Sequence, residues 1–300
     1  MSVVGDKVIF CEGKQSSLDF RLINKVIENI SVNKPTIVPS GSKFTFSVFV
    51  EGYFSRIETT NKKYIVFTFG TLRERDRDFD IKPTDNIQLV KLGSMLLTHR
   101  ACVENYLLNS DLIHNYWVTR YIEKQNNPIS RWGHGNSPGI TAISTWIEQA
   151  ARSLQDYQVV RWALADLIES SGSRQQLKTT WTGGSGKLPS SLTILDCQTQ
   201  ALMLVNQFQQ AINTVTEDRF LASIAAYQQQ FSEPTFWSDK QYLIWFHGKD
   251  MQKAMQQQQS QYISLNAFFD WALNQIDINQ HPDLIELHAG NCFVIGADFE

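Results

Sequence analysis

The sequence has no long apolar run. Across its 300 residues, nothing approaches the ~20 consecutive apolar residues that a membrane-spanning helix needs. Its start lacks the basic residues and extended apolar stretch of an export signal, so removal by a signal peptidase is not expected. Cysteine is scarce: Cys11, Cys102, Cys197 and Cys292 are widely separated, with no Cys-x-x-Cys pair. That argues against a disulfide framework or a structural zinc site and makes a reducing cytoplasm the expected location. There is also no strong excess of one charge. Against 27 Lys and Arg stand 30 Asp and Glu, a net charge of −3, which argues against a protein that holds nucleic acid by bulk electrostatics. No internal repeat is visible.

What remains is an ordinary globular composition, with 42% hydrophobic and 19% charged residues. It is enough for a sizeable core and for one large domain or two smaller ones. Charge is unevenly spread. Residues 1–110 carry 15 basic and 12 acidic side chains, and residues 111–300 carry 12 and 18.

The two regions differ in pattern as well. Residues 8–10 read as a short strand ending in Cys11-Glu12-Gly13. A helix follows, capped by Ser16 or Ser17, with Asp19 in its first turn and Leu22, Val26 and Ile30 on one face. Residues 35–39 read as a second strand and 43–56 as a second helix. Residues 64–69 and 87–90 read as further strands. This β-α-β-α-β order predicts an α/β fold, a mostly parallel sheet flanked by helices. From about residue 111 to 300 the pattern is mainly helical. Residues 143–167 and 192–229 are helix-like, 133–139 and 170–191 are loops, and the Gln-rich 251–259 reads as a solvated helix.

The chemistry-bearing stretch is Arg73-Glu74-Arg75-Asp76-Arg77-Asp78-Phe79-Asp80. In an extended segment Asp76 and Asp78 face the same way. Glu12 follows the first strand directly, and the Asp-x-Asp pair follows the strand at 64–69. If those two strands are parallel neighbours, the three carboxylates converge at the C-terminal end of the sheet, where open α/β sheets bind ligands. Converging carboxylates hold Mg²⁺ or Mn²⁺ through hard oxygen ligands, and such an ion serves phosphoryl chemistry. The bland alternative is a self-neutralising solvated charge run.

Phe10-Cys11-Glu12-Gly13, the turn Ile37-Val38-Pro39-Ser40-Gly41, Asp76-Arg77-Asp78-Phe79, Val103-Glu104-Asn105-Tyr106 and Trp245-Phe246-His247-Gly248-Lys249 occur in that order. Together they resemble the Toprim fold and, more narrowly, the Toprim-like DUF4435 family, which includes the AriB-type subunits of PARIS anti-phage defence. The resemblance covers residues 1–110 as a catalytic domain, with 111–300 as the family's helical part.

The resemblance implies a Mg²⁺-dependent nuclease toxin, cleaving tRNA and held inactive by an ABC-type ATPase partner of the AriA kind. It implies metal ligation by Glu12, Asp76 and Asp78, and a further acidic ligand in a Ser-x-Glu motif. Cys102-Val103-Glu104 is the nearest match to that motif, with cysteine in place of serine. It also implies a late basic residue at the scissile phosphate, for which Lys249 is the candidate. A DNA endonuclease or nickase of the OLD (overcoming lysogenisation defect) type, and a non-catalytic interaction module, are the competing expectations. A homodimer would let two copies grip a long substrate.

Other signals were weaker. Gly183-Gly184-Ser185-Gly186-Lys187 resembles a phosphate loop, but Trp181 stands at the first glycine position and Leu188 replaces Ser or Thr. His99, His114 and His134 lack metal-ligand spacing. Cys11 reads as a buried strand-end residue, and the aromatics at 237, 245, 246, 268, 269 and 271 as core.

Overall fold

The structure is a computed structural model. It describes residues 7–11, 13–30, 34–41, 63–68, 87–92, 95–170, 179–184, 186–209 and 215–288. The chain divides into two compact units. Unit 1 comprises Met1–Gly70, Thr84–His99 and Phe269–Glu300, and unit 2 comprises Thr71–Pro83 and Arg100–Phe268.

Unit 1 is built on a five-stranded sheet of order β2-β1-β3-β5-β4. Its strands are β1 (Lys7–Cys11), β2 (Thr36–Pro39), β3 (Lys63–Thr68), β4 (Val90–Leu92) and β5 (Met95–Leu97). β1 pairs in parallel with β2 on one side and β3 on the other, and β3 pairs in parallel with β5. Only β4 runs antiparallel, paired with β5. The expected mixed α/β class with a mostly parallel sheet is what is found. Val8, Ile9, Phe10 and Cys11 are all fully buried. Such an unbroken buried run belongs to a central strand covered on both faces.

Helix α1 (Leu18–Val26) starts where Ser17 Oγ accepts from the Phe20 N–H at 3.3 Å, with Asp19 in the first turn. Leu22, Ile23 and Val26 form its buried stripe. The apolar spacing runs on to Ile30, yet the helix stops four residues earlier. Beyond Val26 the hydrogen bonds shorten to three-residue steps, from Glu28 N to Lys25 O and from Ile30 N to Ile27 O. Such tightened turns are a common way to end a helix.

The turns after β1 and β2 are locked to each other. Ser40 donates to Cys11 O through both its N–H (2.9 Å) and its hydroxyl (3.0 Å). Gly13 and Gly41 exchange backbone hydrogen bonds of 2.9 and 3.1 Å. Both glycines need their freedom, with φ of +83° and +87°. At Gly13 a Cβ would also stand 2.6 Å from Ser17 Oγ.

The strand expected at 87–90 lies later, as a short hairpin of β4 and β5. Ile87 is exposed, and the Leu89 N–H goes to Glu286 Oε2 at 3.1 Å instead of into a ladder. That acceptor belongs to α11 (Pro282–His288), whose return to the sheet the sequence did not announce. Within unit 1, Asp283 Oδ2 also accepts from the buried His99 N–H, and His288 Nδ1 lies 2.7 Å from Val26 O. Arg21 joins the carboxylate and the carbonyl of Asp270.

Unit 2 is helical: α2 (Val103–Leu107), α3 (Ser110–Asn126), α4 (Ile140–Ser170), α5 (Ile194–Gln209), α6 (Glu217–Ser232), α7 (Pro234–Ser238), α8 (Tyr242–Trp245) and α9 (Gly248–Gln258). Helix α10 (Leu265–Gln275) begins in it. The 31-residue α4 is its spine, buried at Trp146, Ala150, Leu154, Tyr157, Arg161, Leu164 and Ile168. Its tryptophans satisfy their indole N–H groups with carbonyls, Trp146 on Met255 and Trp162 on Trp245. The expected helix at 192–229 is two helices. Thr216 restarts the second by accepting from the Arg219 N–H, with Glu217 and Asp218 behind it. The Gln-rich segment is indeed helical, as α9, but it buries Met251, Ala254 and Met255. The helix expected at 43–56 lies outside the described residues. No helix among the described residues is long and apolar enough to cross a membrane.

Forcing a side chain into the left-handed turn at Gly13 costs roughly 1–3 kcal/mol. Gly13→Ala should therefore lower the urea midpoint of unfolding while leaving the denaturant slope unchanged.

Candidate functional site

Of the residues singled out in the sequence, Glu12, Asp76 and Asp78 lie outside the described residues, while Glu104 and Lys249 lie within them. The strands that precede the first three are described. β1, which ends one residue before Glu12, and β3, which precedes the Asp-x-Asp segment, are parallel neighbours in register, Cys11 opposite Phe67. That is the arrangement on which convergence depended. From β1 the chain passes to β2 on one side of the sheet, while β3 and β5 lie on the other. Between such strands, at their C-terminal ends, α/β sheets open a crevice. The backbone on both sides of position 12 is anchored to the end of β2 by the Ser40 and Gly41 contacts.

In unit 2, Glu104 sits in the first turn of α2 and is 5% exposed. Its Oε2 is buried and has no hydrogen-bond partner among the described residues. Lys249, the second residue of α9, is exposed. The structure brings the starts of these two helices together. A Cβ on Gly248 would stand 2.8 Å from each of Glu104 Cβ, Cys102 Sγ and Asn105 Oδ1, so only glycine fits between α2 and Lys249.

Asn105 makes the joint. Its Oδ1 accepts from the N–H of Cys102 (3.1 Å), the Cys102 thiol (3.0 Å) and the N–H of Gly248 (2.9 Å). Its amide donates to Phe246 O at 2.9 Å. The Gly248 N–H also points at Cys102 Sγ, 3.1 Å away. His247 caps α9, with Nδ1 accepting from the Lys249 N–H at 3.3 Å and standing 3.7 Å from Cys102 Sγ. Burial, and then the neighbouring Glu104 charge, push the Cys102 thiol well above its usual range, against the opposing pull of Lys249. Cys102 is therefore a neutral hydrogen-bonding group and not a thiolate nucleophile.

The other side of the same helical turn is held by charge. Asp250 and Arg161 are both fully buried and form an ion pair of 2.5 Å. Asp250 also accepts from Gln158 Nε2 at 2.9 Å and from the Gly186 N–H at 2.7 Å. Helix α4, helix α9 and the glycine-rich segment thus meet on one carboxylate. In the segment that resembles a phosphate loop, Gly183, Gly184 and Gly186 are all at positive φ.

Sequence reasoning missed Asn105, Gln158, Arg161 and Asp250. One signal was available: Arg161 interrupts the apolar run Val159, Val160, Trp162, Ala163, Leu164, and a charge there requires a buried partner. Asn105 gave no such signal, because its role depends on a carbonyl and an N–H more than a hundred residues away.

As a metal donor, the described residues supply Glu104, whose buried Oε2 has no hydrogen-bond partner among them. Among the described residues no group of three or more His, Cys, Asp or Glu could hold an ion. No protein-family model matches the chain, and a search of curated proteins finds no match. The resemblance to Toprim-like DUF4435 proteins accordingly rests on the quoted residues alone.

Two outcomes are expected. Asp250→Ala strands a buried guanidinium, and breaking a buried pair in this way costs about 3–5 kcal/mol, to be read from equilibrium unfolding. Peptide mapping after brief iodoacetamide treatment at pH 8 should find Cys102 unmodified in the folded chain and modified once the chain is unfolded.

Proposed function

We propose that the chain is a divalent-cation-dependent nuclease whose residues 1–110 form a Toprim-like catalytic domain. In this reading Glu12, Asp76 and Asp78 bind Mg²⁺ or Mn²⁺, Glu104 is a further acidic ligand, and Lys249 faces the phosphate. The observation that carries it is the parallel pairing of β1 with β3. The chain positions that lead into Glu12 and into the Asp-x-Asp pair leave the sheet side by side, at a point where the strand order reverses.

Glu104 adds support. A buried carboxylate oxygen without a donor costs free energy unless something outside the described residues satisfies it, and a hard cation is the natural partner of an anionic oxygen. When bound, the cation would supply an activated water and polarise the scissile phosphodiester. The residues of the chain do the rest. The Gly13–Gly41 and Ser40–Cys11 hydrogen bonds hold the backbone around Glu12. The Asn105–Gly248 joint holds the start of α2, which carries Glu104, against the start of α9, which carries the exposed Lys249. Positive charge at that position stabilises the oxyanion that develops as the phosphodiester is attacked.

By resemblance to the AriB-type proteins of PARIS defence, the substrate in this proposal is tRNA, and the activity is restrained by an ABC-type ATPase.

The test compares tRNA, single-stranded RNA and duplex DNA as substrates with Mg²⁺, with Mn²⁺ and with EDTA. Cleavage of tRNA that needs the cation is expected. Glu12→Ala and Asp76→Ala should abolish it, and Lys249→Ala should lower kcat by about 10²–10³-fold, each with an unchanged circular-dichroism spectrum. Variants of Glu12 and Asp76 that cut as fast as the parent would overturn the assignment. Cleavage confined to duplex DNA would move it to the OLD type.

A further inference from the structure

We infer that unit 2 carries a pocket for one unstacked nucleobase bearing an exocyclic amino group, with the adjoining phosphate held at Lys187 and Lys249. This deepens the nuclease reading and rests on it for the identity of the polymer.

The pocket has a volume of about 520 Å³, within the usual range for small-ligand sites. Its lining combines Trp181, Thr182 and Pro189 with a polar set, Ser190, Ser191, Asp196 and Gln200, the last two on α5. Trp181 is half-exposed and braced edge-to-face on Tyr157, with ring centres 5.5 Å apart. Tyr157 is fixed in turn by a 2.7 Å hydrogen bond between its hydroxyl and the Thr180 hydroxyl. A held, partly exposed indole is a stacking platform, and aromatic platforms of this kind take splayed-out bases of single-stranded nucleic acid.

The polar wall selects what can lie on that platform. Asp196 Oδ2 accepts from the hydroxyls of Ser191 (2.5 Å) and Thr193 (2.9 Å). The two hydroxyls hold its carboxyl below the usual carboxylate range, the Ser191 contact contributing most. Asp196 is therefore an acceptor at neutral pH, and its exposed Oδ1 can take N–H donors from a ligand in place of water. Guanine offers two on one edge, while adenine and cytosine each offer an exocyclic amino group. Uracil has one ring N–H flanked by carbonyls that the carboxylate repels. Gln200, able both to donate and to accept, suits the mixed edge of a base.

The same carboxylate keeps phosphate away from the polar wall, and the rim supplies a place for it. The chain leaves the pocket at Thr182 and returns to it at Pro189. In between, Lys187 N donates to Gly184 O at 3.2 Å, closing the glycine turn. Lys187 Nζ lies back over that turn, 3.9 Å from where a Gly183 Cβ would be, and Lys249 Cβ is equally close to a Gly186 Cβ. Both lysines are exposed, and Lys187 forms no ion pair among the described residues. The buried Asp250 holds the turn in place through the Gly186 N–H.

Isothermal titration calorimetry of the full chain with GMP, AMP, CMP, UMP, guanosine and inorganic phosphate tests the pocket. GMP is expected to bind tightest and UMP weakest, with guanosine retained and phosphate alone weaker than GMP. Trp181→Ala should weaken GMP about tenfold or more. Asp196→Asn should erase the preference over UMP, and Lys187→Ala should weaken GMP while leaving guanosine unchanged. Absence of binding at millimolar nucleotide, equal binding of GMP and phosphate, or undiminished GMP binding by Trp181→Ala would each overturn the inference.

The two readings fail separately. Trp181-dependent GMP binding by a chain that cuts no RNA sinks the nuclease and leaves the pocket. RNA cleavage with an unchanged KM in Trp181→Ala sinks the pocket and leaves the nuclease.

Discussion

Helical unit 2 is organised around one buried ion pair, Asp250 with Arg161, neither of which has any exposed surface. Taking two charges out of water costs several kcal/mol per ion, and an apolar pair of similar volume is often at least as stable. The value of this pair therefore lies in position. Asp250 receives Arg161 and Gln158 from the spine helix and the Gly186 N–H from the glycine turn. One carboxylate thereby sets the relation of α4, α9 and a segment that has no regular structure of its own. Asn105 does the neutral equivalent on the opposite side of the same helical turn. Lys249 lies in sequence between these two anchors and is the exposed residue of the set.

How far the sequence disclosed all this follows from the range of the forces involved. Local signals were legible. Ser17 and Asp19 mark the start of α1, the buried run 8–11 marks a central strand, and prolines bracket β2. Patterning failed where a distant group took over a backbone bond. The segment 87–89 is apolar enough for a strand, but Glu286, nearly two hundred residues on, holds the Leu89 N–H. The run 192–229 is helical in composition throughout, yet Thr216 with two acids behind it restarts the helix. At the candidate site Glu104 and Lys249 were readable as residue types, whereas their closeness was not. It is set by Gly248 and Asn105, each of which looks unremarkable in isolation. The glycine-rich stretch that ends at Lys187 is a second case of closeness the sequence did not give. Judged against a phosphate-loop pattern it fails, and the structure adds what the pattern could not give, Lys187 and Lys249 close to Gly183 and Gly186.

Cysteine stands at position 102 where the Ser-x-Glu pattern of the resemblance has serine, and the structure shows what the thiol does there. A serine hydroxyl here would donate one hydrogen bond and accept another. The Cys102 thiol stands in the same two relations, against Asn105 Oδ1 and the Gly248 N–H. Burial and the Glu104 charge keep its proton on, so the group retains the donor that a thiolate would lose. The larger sulfur is accommodated by the missing side chain at position 248, where a Cβ would meet Sγ at 2.8 Å. Cysteine at 102 and glycine at 248 are thus one structural choice made at two places in the chain. It preserves the hydrogen-bonded joint that carries Glu104 on one helix and Lys249 on the other.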